Sequence, residues 1–206
     1  MPFDWINALQ RLRAIAQTGL TYSKDPYDLE RYNEIISIVQ QGMVELLATT
    51  PETLVSVYSF AKGYPTPKLD VRTAVFVEHR VLLVRETADG KWTLPGGWID
   101  ETDSPRQAAE REVREESGYE VKVTRLVAIK ARNRRAYQPK MLGECYKLFF
   151  LASLVGGAPA TSIETSGVAF YALDELPPLS PGRTLAEDIH EAYAAHLDPS
   201  IAPIID

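Results

Sequence analysis

The sequence predicts an α/β or α+β domain preceded by a small all-helical unit. Three observations carry this expectation. Apolar residues recur at helical spacing up to about residue 65 and in short β-branched runs beyond it, one strongly signalled helix lies among those runs, and a turn-rich GYPTPK joins the two regimes.

In the first regime Trp5, Ile6, Leu9, Leu12, Ile15 and Ala16 recur at helical spacing before Gly19. A second helix opens at Asp25-Pro26 and carries Leu29, Tyr32, Ile35, Ile36, Val39, Met43, Leu46 and Leu47. A third is expected from Thr50-Pro51 with Leu54, Val55, Val57 and Tyr58. A unit of this size, residues 1–64, is too small for a large core of its own, so it should dock on the remainder, 65–206, or on a second chain.

Beyond the link, VRTAVFV and VLLVRE are short runs around Glu78-His79-Arg80, the pattern of a hairpin. EVKVTRLVAIKA, CYKLFFLASLV and GVAFYAL supply further strands, and Thr184 to His196 reads as a closing helix. The best-signalled helix lies between them, in LPGGWIDETDSPRQAAEREVREESGY. Ser104 can cap it, Pro105 suits the first helical position, Gln107 completes a capping box, and Gly118 can take the left-handed conformation that ends it.

That helix, Pro105 to Ser117, crowds Glu110, Glu112, Glu115 and Glu116 within seven residues. At about 100° per residue, Glu112, Glu115 and Glu116 share one third of the circumference, next to Ala108, Ala109 and Val113. The plainer explanation is a solvated face balanced by Arg106, Arg111 and Arg114. The sharper one is a hard-cation site, because Mg²⁺ takes oxygen ligands and commonly bridges carboxylates to phosphates. Carboxylates on the same face as small apolar residues favour the cation.

Composition narrows the classes. At 206 residues and 45% hydrophobic content the chain can bury a core. It has no run of 18 apolar residues and no signal-peptide pattern, so a soluble, cytoplasmic protein with no membrane partner is expected. Cys145 is the only cysteine, which excludes an intramolecular disulfide and a cysteine-rich zinc site. The net charge of -6 argues against a general nucleic-acid binder. His79, His190 and His196 have no ligand spacing.

Gly97, five residues, Asp103, seven residues, then Arg111-Glu112-Val113-Arg114-Glu115-Glu116-Ser117-Gly118-Tyr119 resembles the Nudix box, the signature of hydrolases that cleave a diphosphate linked to another group. One position departs: the family has Glu where this chain has Asp103, a structural place from which the shorter acid could still reach Arg111. The resemblance implies a Nudix-type α/β/α sandwich with a mixed sheet. It also implies that Glu112, Glu115 and Glu116 bind Mg²⁺ or Mn²⁺ and that Arg111 orients them. GLTYSKDPYDLERY, GYPTPKLDVRTAVF, DGKWTLPGGWID, YKLFFL and DELPPLSPGRT extend the likeness to a subgroup with an N-terminal helical domain, associated with CDP-choline and ADP-ribose pyrophosphatases and with homodimers.

A phosphoanhydride is shielded by its own negative oxygens, so hydrolysis needs charge neutralisation, an oriented water and a proton acceptor. Glu116 is the first candidate for the acceptor and Glu164 the second. Arg85 could reach the phosphates, although an arginine at a strand end more often serves the surface. Gly97 and Trp98 belong to the loop beside the box; Trp98 could line a pocket, whereas Trp92 reads as core. The run IKARNRRAYQPK, with Lys130, Arg132, Arg134, Arg135, Lys140 and Tyr137, could clamp phosphates and stack a base, or be a solvated connection. The function expected is cleavage of a small nucleoside diphosphate derivative, with RNA-end processing or turnover-free nucleotide sensing as alternatives.

Overall fold

The computed structural model describes residues 3–47, 50, 63–141 and 143–206, and its chain divides into two compact units, Met1–Pro67 and Lys68–Asp206. In the first unit, α1 (Trp5–Tyr22) and α2 (Pro26–Leu47) form a hairpin. Asp4 caps α1 by accepting from Asn7 N–H, and Asp25 accepts from the N–H groups of Tyr27 and Asp28 at the start of α2. Gly19 does not end the first helix. A side chain there would lie 2.3 Å from the Tyr32 ring, so this glycine serves close antiparallel packing, whereas a Cβ on Gly42 would meet Leu9 at an ordinary 3.4 Å. Trp5, Leu12, Ile15 and Ile38 remain exposed on this unit. The expected third helix, apart from Thr50, lies outside the described residues.

The second unit is a mixed sheet between two helices. Its strands are β1 (Lys68–Val77), β2 (Arg80–Glu86), β3 (Trp92–Thr93), β4 (Tyr119–Ala131), β5 (Cys145–Gly157), β6 (Thr165–Ala172) and β7 (Ile204–Ile205). The spatial order is β3-β2-β1-β5-β4-β7, with β6 also paired to β2. β1 runs parallel to β5, whereas β4 and β5 are antiparallel. Glu78 and His79, at φ 48° and 62°, form the tight two-residue turn of the β1–β2 hairpin.

Strand alternation builds two cores from the same segments. Val81, Leu83, Phe149 and Leu151 face α4 (Ala186–Leu197) with Ile189 and Ala192, while Leu82, Phe150 and Ala152 face α3 (Pro105–Ser117) with Ala108, Ala109 and Val113. This is the α/β/α sandwich. The caps of α3 match the sequence expectation: Gln107 N–H donates to Ser104, the Gln107 side chain answers, and Gly118 is left-handed at φ 74°. The closing helix starts at Ala186 because the Thr184 hydroxyl is engaged elsewhere, accepting from Leu94 N–H and bonding to Thr93.

Candidate active site

The glycine loop is held along β1 as though it were a further strand. Val71 N–H donates to Gly97 O at 2.8 Å, Thr73 N–H to Pro95 O at 2.9 Å, and Ile99 N–H to Leu69 O at 3.1 Å. Gly96 N–H is left to point at α3, where it donates to Glu116 Oε2 at 2.8 Å. Gly96 has φ +145°, and a Cβ there would sit 2.0 Å from Val71 O. A Cβ on Gly97 would instead meet the flexible Glu112 carboxylate at 3.0 Å. Gly96→Ala should therefore destabilise the fold by roughly 2–4 kcal/mol, and Gly97→Ala by much less. Urea unfolding of the two variants checks the order, and equal losses would contradict it.

Arg111 is the hub of the acidic face. Its guanidinium donates to Asp103 at 2.9 Å, Glu112 at 2.9 Å and Glu115 at 3.2 Å, with Asp100 at 3.5 Å. Asp103 is thus long enough to make the contact despite being the shorter acid. Burial raises the carboxyl pKa of Glu112 even though Arg111 opposes it. Glu116 is pushed up to about 7 by burial, against the pull of Arg72 and the Gly96 N–H, with Glu112 and Glu86 adding repulsion.

A second charge network lies on β1 and β5. Arg72 binds both carboxylate oxygens of Asp70, at 2.9 and 2.8 Å, and Lys147 Nζ donates to Asp70 at 2.8 Å. Parallel pairing sets Asp70 opposite Lys147, so the contact follows from register. Burial pushes the Asp70 pKa up, but its two cations outweigh this and hold it below the usual carboxylate range. Burial brings Lys147 down to about 8 despite its acid partner. Cys145, close by, is raised to about 12 by burial and remains a thiol.

The charged groups of both networks, apart from Asp103, line a cavity of about 700 Å³. Of the residues singled out in the sequence, Glu112, Glu115, Glu116, Arg111, Glu164, Gly97 and Trp98 line it. Arg85 and Tyr137 do not. The alternation of β2 turns Glu86 inward and leaves Arg85 exposed, its Nε donating to Gly90 O at 2.8 Å. Tyr137 is fully buried, with its hydroxyl donating to Asp188 at 2.8 Å, so no base can stack on it. The basic run is neither a clamp nor a solvated connection as a whole. Lys130 is buried against Asp188 at 2.6 Å, Arg135 pairs with Asp206, and only Arg132 among its cations lines the cavity.

Sequence reasoning missed Asp70, Arg72, Glu86, Lys147 and Arg183 as lining residues. A signal was available: charged residues inside apolar strand runs, as in KLDVRTAVFV and CYKLFFL, are buried charges that need partners.

An acidic helix, a glycine loop pinned along the first long strand and a carboxylate-lined cavity are the parts that a metal-assisted hydrolase of diphosphates would need. The chain belongs to the Nudix family: the NUDIX domain model matches residues 66–193, and residues 3–57 match a UDP-X-like, N-terminal oligomerisation domain. It is accordingly a Nudix pyrophosphohydrolase. The chain is 40% identical over 202 residues, 98% of its length and 97% of the relative's, to YjhB of Bacillus subtilis (strain 168), provisionally named an ADP-ribose pyrophosphatase. An ADP-ribose pyrophosphatase of Streptococcus suis 89-1591 is similar at 38% identity and a TM-score of 0.63, covering 68% of this chain and 100% of its own. A UDP-X diphosphatase structure is similar over 98% of both chains, with 32% identity and a TM-score of 0.64. No helix among the described residues is long and apolar enough to cross a membrane.

Proposed function

We propose that this enzyme hydrolyses the diphosphate of a small nucleoside diphosphate derivative in a metal-dependent reaction. ADP-ribose is the first choice, on the names that its relatives carry, with CDP-choline second. The observation that carries the reading is the placement of Glu112, Glu115 and Glu116 with Arg111 on a single cavity of nucleotide size. The division of labour proposed is residues 65–206 for catalysis and 1–64 for homodimerisation. The exposed apolar side chains of α1 and α2 and the match to an oligomerisation domain support the second part.

The donor set fits a hard divalent cation: it is all carboxylate, and the raised pKa values of Glu112 and Glu116 reflect burial and crowding that a cation would relieve. Among the described residues no three potential ligands are gathered at single-ion spacing, and Arg111 lies between Glu112 and Glu115. Glu112, Glu115 and Glu116, all of which line the cavity, would hold Mg²⁺ or Mn²⁺. When bound, the ions would neutralise the diphosphate charge and polarise the phosphorus–oxygen bonds. Arg111 holds the carboxylates in place through its bonds to Asp103 and Glu112. Water attacks one phosphorus, the bridging oxygen leaves with the other phosphate, and Glu116 takes the water's proton, with Glu164 on the same cavity as the second candidate.

Product identification tests the reading. Purified protein with Mg²⁺ or Mn²⁺ is offered ADP-ribose, CDP-choline, a UDP-sugar, NADH and 5′-triphosphorylated RNA, with products weighed by mass spectrometry. A nucleoside monophosphate from one small diphosphate is expected. Cleavage of the RNA alone would overturn the reading.

A pH dependence follows from Glu116. Its folded pKa, about 7, lies above the ordinary glutamate value of 4.5, so its contribution to stability is full below about 4.5 and is lost as pH rises through about 7. The cation-free protein should lose stability between pH 5 and 8 on this account, and Glu116→Gln should flatten that part of the profile. Thermal unfolding across that range in chelator decides it.

A further inference from the structure

The other cations of the cavity are matched by acids. Arg72 and Lys147 share Asp70, Arg111 has Asp103 and the helix glutamates, and Arg183 is 2.7 Å from Glu86. Arg132 lines the same cavity, is 5% exposed, and has no ion-pair partner among the described residues. Its Nε makes one long bond, to Gly182 O at 3.3 Å, and its Nη1 is buried with no hydrogen-bond partner.

The local fold holds this guanidinium in place. Arg132 opens the short 3-10 turn that follows β4, and the next residue, Asn133, donates to Met141 O at 3.1 Å and Gly143 O at 2.9 Å. A Cβ on Gly182 would lie 3.4 Å from Arg132 Nη2 and 3.0 Å from Gln138 O, so the absence of a side chain there leaves room for the fork. Burial lowers the pKa of Arg132, yet an arginine keeps its proton; the Tyr137 ring lies 5.9 Å away and Asp70 and Glu144 act on the charge at longer range, but no carboxylate among the described residues pairs with it directly. A neutral base edge would satisfy its donors and leave the charge uncompensated. An oxyanion does both.

We propose that Arg132 is the clamp for the substrate's diphosphate, the part of its guanidinium that faces the cavity donating to the non-bridging phosphate oxygens. This assignment rests on the diphosphate reading above. It gives the cavity two complementary parts: carboxylates for cations, and one unmatched arginine for the anion directly.

The test is calorimetric titration of inorganic pyrophosphate into the full-length protein without divalent cation, for wild type, Arg132→Lys and Arg132→Gln, with unfolding temperatures measured on the same samples. Arg132→Gln should weaken binding by about 10- to 100-fold, the scale of a charge-assisted hydrogen bond. Arg132→Lys, which keeps the charge and loses the fork, should fall between them. The losses should follow charge and not unfolding temperature; if Arg132→Gln fails to fold, a loss in the folded Lys variant decides the matter. Undiminished affinity in Arg132→Lys and Arg132→Gln, no binding by wild type, or losses that track stability would each overturn the proposal. Pyrophosphate bound through Arg132 by a protein that cleaves no small nucleoside diphosphate would overturn the proposed reaction and leave the clamp standing.

Discussion

Glu116→Gln lowers kcat by about 10³-fold or more while leaving the protein folded, because the substitution removes a ligand charge and the first-choice proton acceptor in one step. The fold survives because glutamine preserves the volume and its carbonyl oxygen can still accept from Gly96 N–H, the bond now made at 2.8 Å. Burial already disfavours the ionised carboxylate, so the cation-free variant should be as stable as wild type, or more so, at pH 8. Steady-state kinetics and thermal unfolding on one preparation separate the two effects. Activity within tenfold of wild type would remove Glu116 from both roles, and Glu164→Gln would then be the next variant to assay.

Asp70→Ala has the largest expected effect on stability, a loss of roughly 3–5 kcal/mol, the usual cost of stranding a buried charge. Here two cations are stranded together, since Arg72 is 4% exposed and Lys147 1% exposed. Lys147 is already at about 8 and can escape by releasing its proton, whereas Arg72 cannot. The pair Asp70→Ala with Lys147→Met should therefore lose less than the sum of the two single changes, a coupling that a double-mutant cycle in urea resolves. Additive losses would mean that Asp70 and Lys147 act independently despite the 2.8 Å contact.

Much of the frame was legible in local chemistry. Ser104, Pro105, Gln107 and Gly118 announce α3 because capping involves only neighbours in the chain. The positions of Glu112 and Glu116 against Ala108, Ala109 and Val113 follow from helical periodicity alone. What escaped depends on pairing between distant segments. Asp70 and Lys147 are 77 positions apart and meet only through the β1–β5 register. Arg85 was misplaced because one step of strand alternation separates it from Glu86, and neither residue type reveals which faces in. Tyr137 lies in a run that looks like a basic loop, and nothing local shows that Asp188, 51 positions later, draws it into the core. Gly19 read as a stop because glycine commonly ends helices, whereas here the Tyr32 ring needs the space.

The bond from Gly96 N–H to Glu116 has a spectroscopic consequence. That amide belongs to a loop locked onto β1 and touches the one carboxylate on which both the cation and the proton are expected to act. In a ¹⁵N-labelled sample its resonance is a built-in indicator electrode. It should move with pH around 7 in cation-free buffer and move again, saturably, as Mg²⁺ is added. Gly118, whose N–H donates to the Arg114 carbonyl, should stay still through both titrations and serve as the internal reference.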